Sequence, residues 1–374
     1  GSVRNTAIGY TAMTGLVGSA VTDCVAVGFQ ALQGGLTHNS DGAVAIGASA
    51  LGALTDGAKN TAIGYNAMLS ATLATNNVAI GYTAMDAMVG DVAANSGHHN
   101  VAIGVDAMGA VNAGTNDSAA TDGNIAIGTN ALLGGTFSSD LNLDSNIAIG
   151  HHAVASTGVY AHTGTIGIGY TALNDLTTGG GNTAIGYKVA ENLVEGNYNT
   201  ALGYEAFDFA QEDSKCTAIG YQALSAAIVS DTGNAVDAHN TAVGYQACLN
   251  LSSGKNNTAI GSSAIGAGAT TGDANVAIGH QAALATAGGS ANVVIGAYDG
   301  TTNAPFATST AGSYCVAIGT GALATANEND NDGTIAIGYK ACFAQAGTGG
   351  AAYASATVGI GHLSLAALTT GTGN

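Results

Sequence analysis

The chain has 374 residues, of which only 8% are charged, with 58 glycines, one proline and no tryptophan. The formal net charge is -18, and the six basic residues are scattered. Such a chain repels nucleic-acid phosphates and anionic bilayers. It also has no apolar run long enough to span a membrane as a helix, so no direct membrane insertion is expected.

A six-residue motif organises everything else. It appears first as Asn5 to Tyr10, then in the same form as Asn60-Thr61-Ala62-Ile63-Gly64-Tyr65, and again at Asn182, Asn199 and Asn240. Looser versions begin at Asn77, Asn100, Asn124 and Asn275. Counted from its glycine (position 0), the motif occurs 19 times, from Gly9 to Gly361, at spacings of 17 to 24 residues. A short period sustained over a whole chain marks a solenoid, in which each repeat packs on its neighbours. The expectation is therefore one all-β domain over residues 1–374, a parallel β-solenoid of about 19 coils of 17–24 residues. The chain reads as a fragment of a longer fibrous protein.

Within the motif, position -1 is Ile in 16 copies and position -2 is Ala in 16 copies; position -3 is Thr, Val or Ile. Large, small, large with β-branched residues is a strand signal. Both faces are apolar, so both call for cover, one from the coil interior and the other from a second surface. The recurrent Ala requires a close contact, but spacing alone does not tell which face looks inward. Asn at position -4, present in 12 copies, reads as a turn former or a stacked ladder rather than a ligand. The glycine reads as the corner that ends the strand. Tyr follows it in nine copies, as at the edge of a buried layer, then usually Ala and a large apolar residue. This continuation is expected to be a second short strand or a turn of helix.

The long repeats carry inserts at residues 86–99, 109–123, 133–145, 225–239, 301–314 and 343–356, rich in Gly, Ala, Ser, Thr, Asn and Asp. They read as loops on one face, and the first three adjoin to form a candidate partner-contacting ridge.

Sites for chemistry are few. Glu328 to Gly333 is similar to the first half of a calcium loop, which makes Asp330 and Asp332 candidate ligands. The later acidic ligand is missing near Tyr339, and the segment reads rather as an acidic, solvated turn. The pairs His98-His99 and His151-His152 are adjacent, a spacing that on a strand points the rings to opposite faces and disfavours a shared metal. His162, His239, His280 and His362 stand alone. Asp208, Glu212 and Asp213 are the densest other carboxylate cluster, but nothing fixes a catalytic pair among them. No nucleophile elbow, phosphate loop or dinucleotide fingerprint is present. Catalysis is not expected, and neither is a cofactor. Thr stands directly after the Asn position in seven copies, giving an interrupted Thr ladder of the kind that binds ice, on a strand expected to be buried. Cys24, Cys216, Cys315, Cys248 and Cys342 occupy two different motif positions, so they are expected to be free, buried thiols.

The motif Asn77-Val78-Ala79-Ile80-Gly81 resembles the head repeats of YadA-like trimeric autotransporter adhesins. The longer Asn-Thr-Ala-Ile-Gly-Tyr-Gln-Ala-Leu form is similar to repeats of bacterial and phage tail-fibre proteins. The resemblance covers nearly the whole chain. It implies a left-handed β-roll, three chains about one axis, and attachment to a surface, outside a cell or on a virion. The sequence departs from those heads in its longer coils and its Tyr-x-Ala-Leu continuation. Independently of the resemblance, a lone roll would expose an Ile/Val stripe on the order of 90 Å long at about 4.8 Å per coil, and stripes of that size mark association surfaces. The reading is thus a homotrimeric structural or adhesive rod that presents loops to a cell-surface glycan or protein receptor. The alternative is a subunit of an extracellular filament that polymerises end to end.

Overall fold

A computed structural model of the chain describes residues 3–16, 21–37, 40–89, 97–111, 121–134, 142–156, 162–226, 236–266, 271–283, 288–300, 304–306, 312–324, 332–343 and 356–367. They belong to two compact units, Gly1–Val194 and Glu195–Asn374. Both are built the same way, as a parallel β-solenoid, and no α-helix occurs among the described residues.

Every motif copy forms a three-residue strand over positions -3 to -1. In the first unit these run from Thr6–Ile8 to Thr183–Ile185, and in the second from Thr200–Leu202 to Val358–Ile360. Neighbouring strands pair in parallel and strictly in register. Val101, Ala102 and Ile103 lie against Ile125, Ala126 and Ile127, and Thr217, Ala218 and Ile219 against Thr241, Ala242 and Val243. The register is independent of coil length, because the inserts fall outside the strand.

The strand has an inside and an outside. Position -2 is buried, as at Ala62, Ala79, Ala102, Ala218 and Ala242, all with no exposed surface. The flanking positions are half-buried or exposed. Two exceptions to Ala show how close the interior packing is. A methyl on Gly167 would lie 2.5 Å from Val154 Cγ2, and one on Gly359 would lie 2.4 Å from Cys342 Sγ. Both obstacles stand at position +4 of the preceding coil, where Leu or Met is usual. The converse also holds: Val294 replaces the small residue in one coil, and position +4 of the coil before it is Ala283. The interior is thus a thin column in which the residues at -2 and +4 are in direct contact, as close packing requires.

The glycine at position 0 is required twice over. Its φ lies in the positive range in all copies, for example 138° at Gly104 and 137° at Gly244. In addition, a Cβ on Gly104 would sit 2.5 Å from the Gly128 carbonyl oxygen. Only a residue without a side chain lets the two corners stack.

The segment after the glycine is neither a strand nor a helical turn, contrary to expectation. It is a run of turns in which positions +2 and +4 have positive φ, as at Asn66 (53°) and Met68 (51°), while the residues between do not. Alternating backbone handedness turns successive amides to opposite neighbours. Asn66 N–H donates back to Ala48 O (3.0 Å), and Met68 N–H donates forward to Ala84 O (2.9 Å). A helix would have closed these bonds on itself; here they tie coil to coil. Position -5 also has positive φ in all copies, including non-glycine residues such as Lys59 (60°), Tyr198 (57°) and Ala274 (57°). Short side strands, Leu143–Asp144 with His162–Thr163 and Asp213–Ser214 with Val236–Asp237, extend the pairing beyond the motif.

Candidate attachment surface

The Asn at position -4 points inward and is structural. Asn60, Asn77, Asn100, Asn124, Asn146, Asn257 and Asn292 are buried with no surface exposed or nearly so. Asn100 Nδ2 donates to Asn77 Oδ1 (3.2 Å) and to Thr121 O (2.7 Å). Its Oδ1 in turn accepts the Asn124 backbone N–H (2.9 Å) and Asn124 Nδ2 (3.0 Å). In the second unit Asn257, Asn275 and Asn292 repeat the pattern. Each amide therefore closes its own coil and holds its neighbour, which leaves it no capacity for a ligand. Where Cys24, Cys216 and Cys315 replace Asn, the backbone N–H still donates to the preceding Asn, at 2.9 Å in each case.

All five cysteines are free and buried, as expected. Burial pushes the thiols of Cys216 and Cys248 up to about 12 and that of Cys315 up to about 11. A thiol so far from thiolate is neither a nucleophile nor a metal ligand at neutral pH.

A second ladder runs along position -6. Thr75 N–H donates to His98 Nδ1 (3.0 Å), His98 N–H to Asp122 Oδ1 (2.7 Å), and Asp122 N–H to Asp144 Oδ1 (2.9 Å). In the second unit Lys255, Asp273, Ser290 and Ser313 continue likewise, ending with Ser313 N–H on Asp332 Oδ1 (2.7 Å). This places Asp332, one of the two calcium candidates, as a backbone acceptor in a repeating corner; Asp330 lies outside the described residues. Because His98 Nδ1 accepts an N–H, its ring is neutral, and burial holds its pKa below the usual histidine value. This ladder leaves no sign in the residue pattern, since His, Asp and Ser share only an acceptor atom.

The histidine pairs do not lie on strands. His151 and His152 follow a motif glycine, and their rings are 4.3 Å apart instead of on opposite faces. His151 stacks on Tyr170 at 5.3 Å, and His152 Nε2 is 3.1 Å from Asn130 Nδ2, which makes it an acceptor and the ring neutral. No group of three or more metal-binding side chains occurs among the described residues. Asp208 and Asp213 are buried rather than offered to a substrate.

What the solenoid does offer is its outer strand face. Three parallel rows run along it: Thr/Val/Ile at -3, Ile at -1 and mostly Tyr at +1. Ile127 (36% exposed), Ile260 (41%) and Leu202 (44%) are among the more exposed residues of the central row, most of which is half-buried. The seven Thr of the motif lie on this open face, not in the interior. The outer row is a stack of rings. Tyr204, Tyr221 and Tyr245 stand 5.2 Å apart with planes within 8° of parallel, and Tyr65–Tyr82 and Tyr170–Tyr187 stack in the same way. Beyond it, at +2, is a polar row in which Gln246 Nε2 donates to Gln222 Oε1 (2.9 Å) and Gln222 Nε2 to Glu205 Oε2 (2.8 Å). The apolar stripe is thus framed by polar rows. Most of the long inserts, including the candidate ridge, lie outside the described residues.

The fold defines the class: a β-solenoid repeat protein. Compared with known proteins, the chain matches no protein-family model, and no curated protein shows significant similarity to it. No helix among the described residues is long and apolar enough to cross a membrane.

Proposed function

We propose that the chain is a structural, attachment-bearing rod of a homotrimeric adhesin or tail fibre, which holds receptor-contacting residues away from a cell or virion surface. The carrying observation is the outer strand face: in each unit its Ile row is half-exposed, coil after coil, with no charge within the stripe. An apolar stripe of this length favours association, and its identical repeats suit self-association about a symmetry axis. The Tyr row, apolar in body and polar at the tip, suits the margin of such an interface. The neutral, backbone-saturated Asn ladder of the interior fits a mechanical role. The receptor in this reading is a cell-surface glycan or protein.

Sedimentation equilibrium tests the reading. The expected mass is about three times the 36.0 kDa chain, and Ile80→Lys with Ile103→Lys should release monomers that keep their β-sheet circular dichroism. A wild-type monomer at micromolar concentration would sink the proposal.

A further inference from the structure

The aromatic row in the first unit is broken twice, by two successive coils at Val105 and Thr129 and by a single coil at Ala48. Tyr10 stacks on Phe29 (5.6 Å, 10° between planes), and Tyr65 stacks on Tyr82 (5.3 Å, 12°). Between the two stacks lies one coil whose residue at the same position is Ala48. Its place is fixed by the strand register and by the backbone bonds Ser49 N–H to Phe29 O (2.9 Å) and Asn66 N–H to Ala48 O (3.0 Å). Phe29 and Tyr65 therefore turn one ring face each toward a gap two coil spacings wide, about 10 Å between ring planes. That leaves room for one ring at the separation the tyrosines keep from each other. The end rings are correspondingly more exposed: Phe29 is 52% and Tyr65 50%, against 41% for Tyr221 inside a continuous stack.

A shallow, open groove of about 350 Å³ lies on the same three coils, lined by Gln30, Gln33, Ser49, Gly52, Leu69 and Ser70 among others. Its lining includes Gln30 and Ser49, the residues that directly follow Phe29 and Ala48, while Phe29, Ala48 and Tyr65 themselves are not part of it. Its volume is in the range of small-ligand sites, about 300–1,000 Å³. The lining holds no charged residue. The side chains of Gln30, Gln33, Ser49 and Ser70 make no hydrogen bond among the described residues, whereas Gln222 and Gln246 at the equivalent position of other coils are bonded to each other. Two parallel ring faces beside uncommitted amides and hydroxyls match a ligand that is apolar on its faces and hydroxylated at its rim.

We propose that the gap over Ala48, between Phe29 and Tyr65, binds one pyranose ring of a neutral glycan, with Gln30 and Ser49, the neighbours of Phe29 and Ala48, supplying its hydroxyl contacts. The net charge of -18 disfavours an acidic sugar. The inference rests on the attachment reading and names a receptor chemistry for it, and it requires the Tyr row, at the margin of the association face, to stay open to solvent at this coil.

Saturation-transfer NMR on the full chain with methyl glucoside, methyl galactoside and methyl mannoside tests it. At least one should bind with a dissociation constant on the order of millimolar, as expected for a single small ring. Ala48→Tyr supplies the missing rung, a residue the same position carries in nine other coils, and should abolish binding with an unchanged dichroism spectrum. Phe29→Ala removes one wall and should weaken binding about tenfold, the scale of one aromatic stacking contact. The inference is overturned if none of the three glycosides binds, if Ala48→Tyr binds as well as wild type, or if N-acetylphenylalanine amide is taken in preference to all three. Any of these leaves the rod proposal standing, since the latter is judged by mass.

Discussion

On the Val101–Ile103 strand, Ala102 and its two neighbours obey different rules. Ala102 faces a closely packed column, and its position accepts only Ala, Gly or, once, Val. Val101 and Ile103 face outward, where the equivalent residues range over Thr, Val, Ile and Leu. One strand thus shows that what limits choice here is proximity to a stacked copy, rather than hydrophobicity.

The sharpest break of that contrast is at the corner. Gly104→Ala places a methyl 2.5 Å from Gly128 O on a backbone at φ 138°. We expect a loss of about 4 kcal/mol or more and a broadened thermal transition by calorimetry. Next is Asn100→Ala, which removes four hydrogen bonds and strands the Asn124 N–H in the interior. A loss of about 3 kcal/mol in urea unfolding is expected, partly relieved in Asn100→Cys, since Cys serves at three equivalent positions. The contact between -2 and +4 is read by Gly167→Ala, which collides with Val154 Cγ2 and should cost about 2 kcal/mol. Adding Val154→Ala should return a good part of that loss, and strictly additive losses in the double-mutant cycle would disprove the pairing. At the small end, Thr241→Val on the outer face should change stability by no more than about 0.5 kcal/mol. A larger loss would mean that the outer row is tied down in a way its half-exposed position does not suggest.

The strands, the glycine corners, the solenoid and the free buried thiols were legible in the sequence, because each depends on one residue type at one recurring position. The alternation of φ after the glycine was not. Ala and Leu at +3 and +4 carry no signal for left-handed backbone, and the same spacing fits a helical turn until coil-to-coil bonding is known. The acceptor ladder through His98, Asp122 and Asp144 was hidden by its chemical variety. The gap over Ala48 was invisible for a different reason. It is a relation among three coils, and a one-dimensional reading shows only an ordinary Ala where Tyr is common.

Because hydrogen bonds join equivalent positions and the inserts leave the strand untouched, coil length and coil register are uncoupled. The chain is in effect counted in rungs. Cutting out residues 60–76, one entire rung, would bring Asn77 to the place of Asn60 and Tyr82 to the place of Tyr65, with the same partners above and below. Growth and shortening by whole rungs, without redesign of any contact, is a freedom that a globular core does not have.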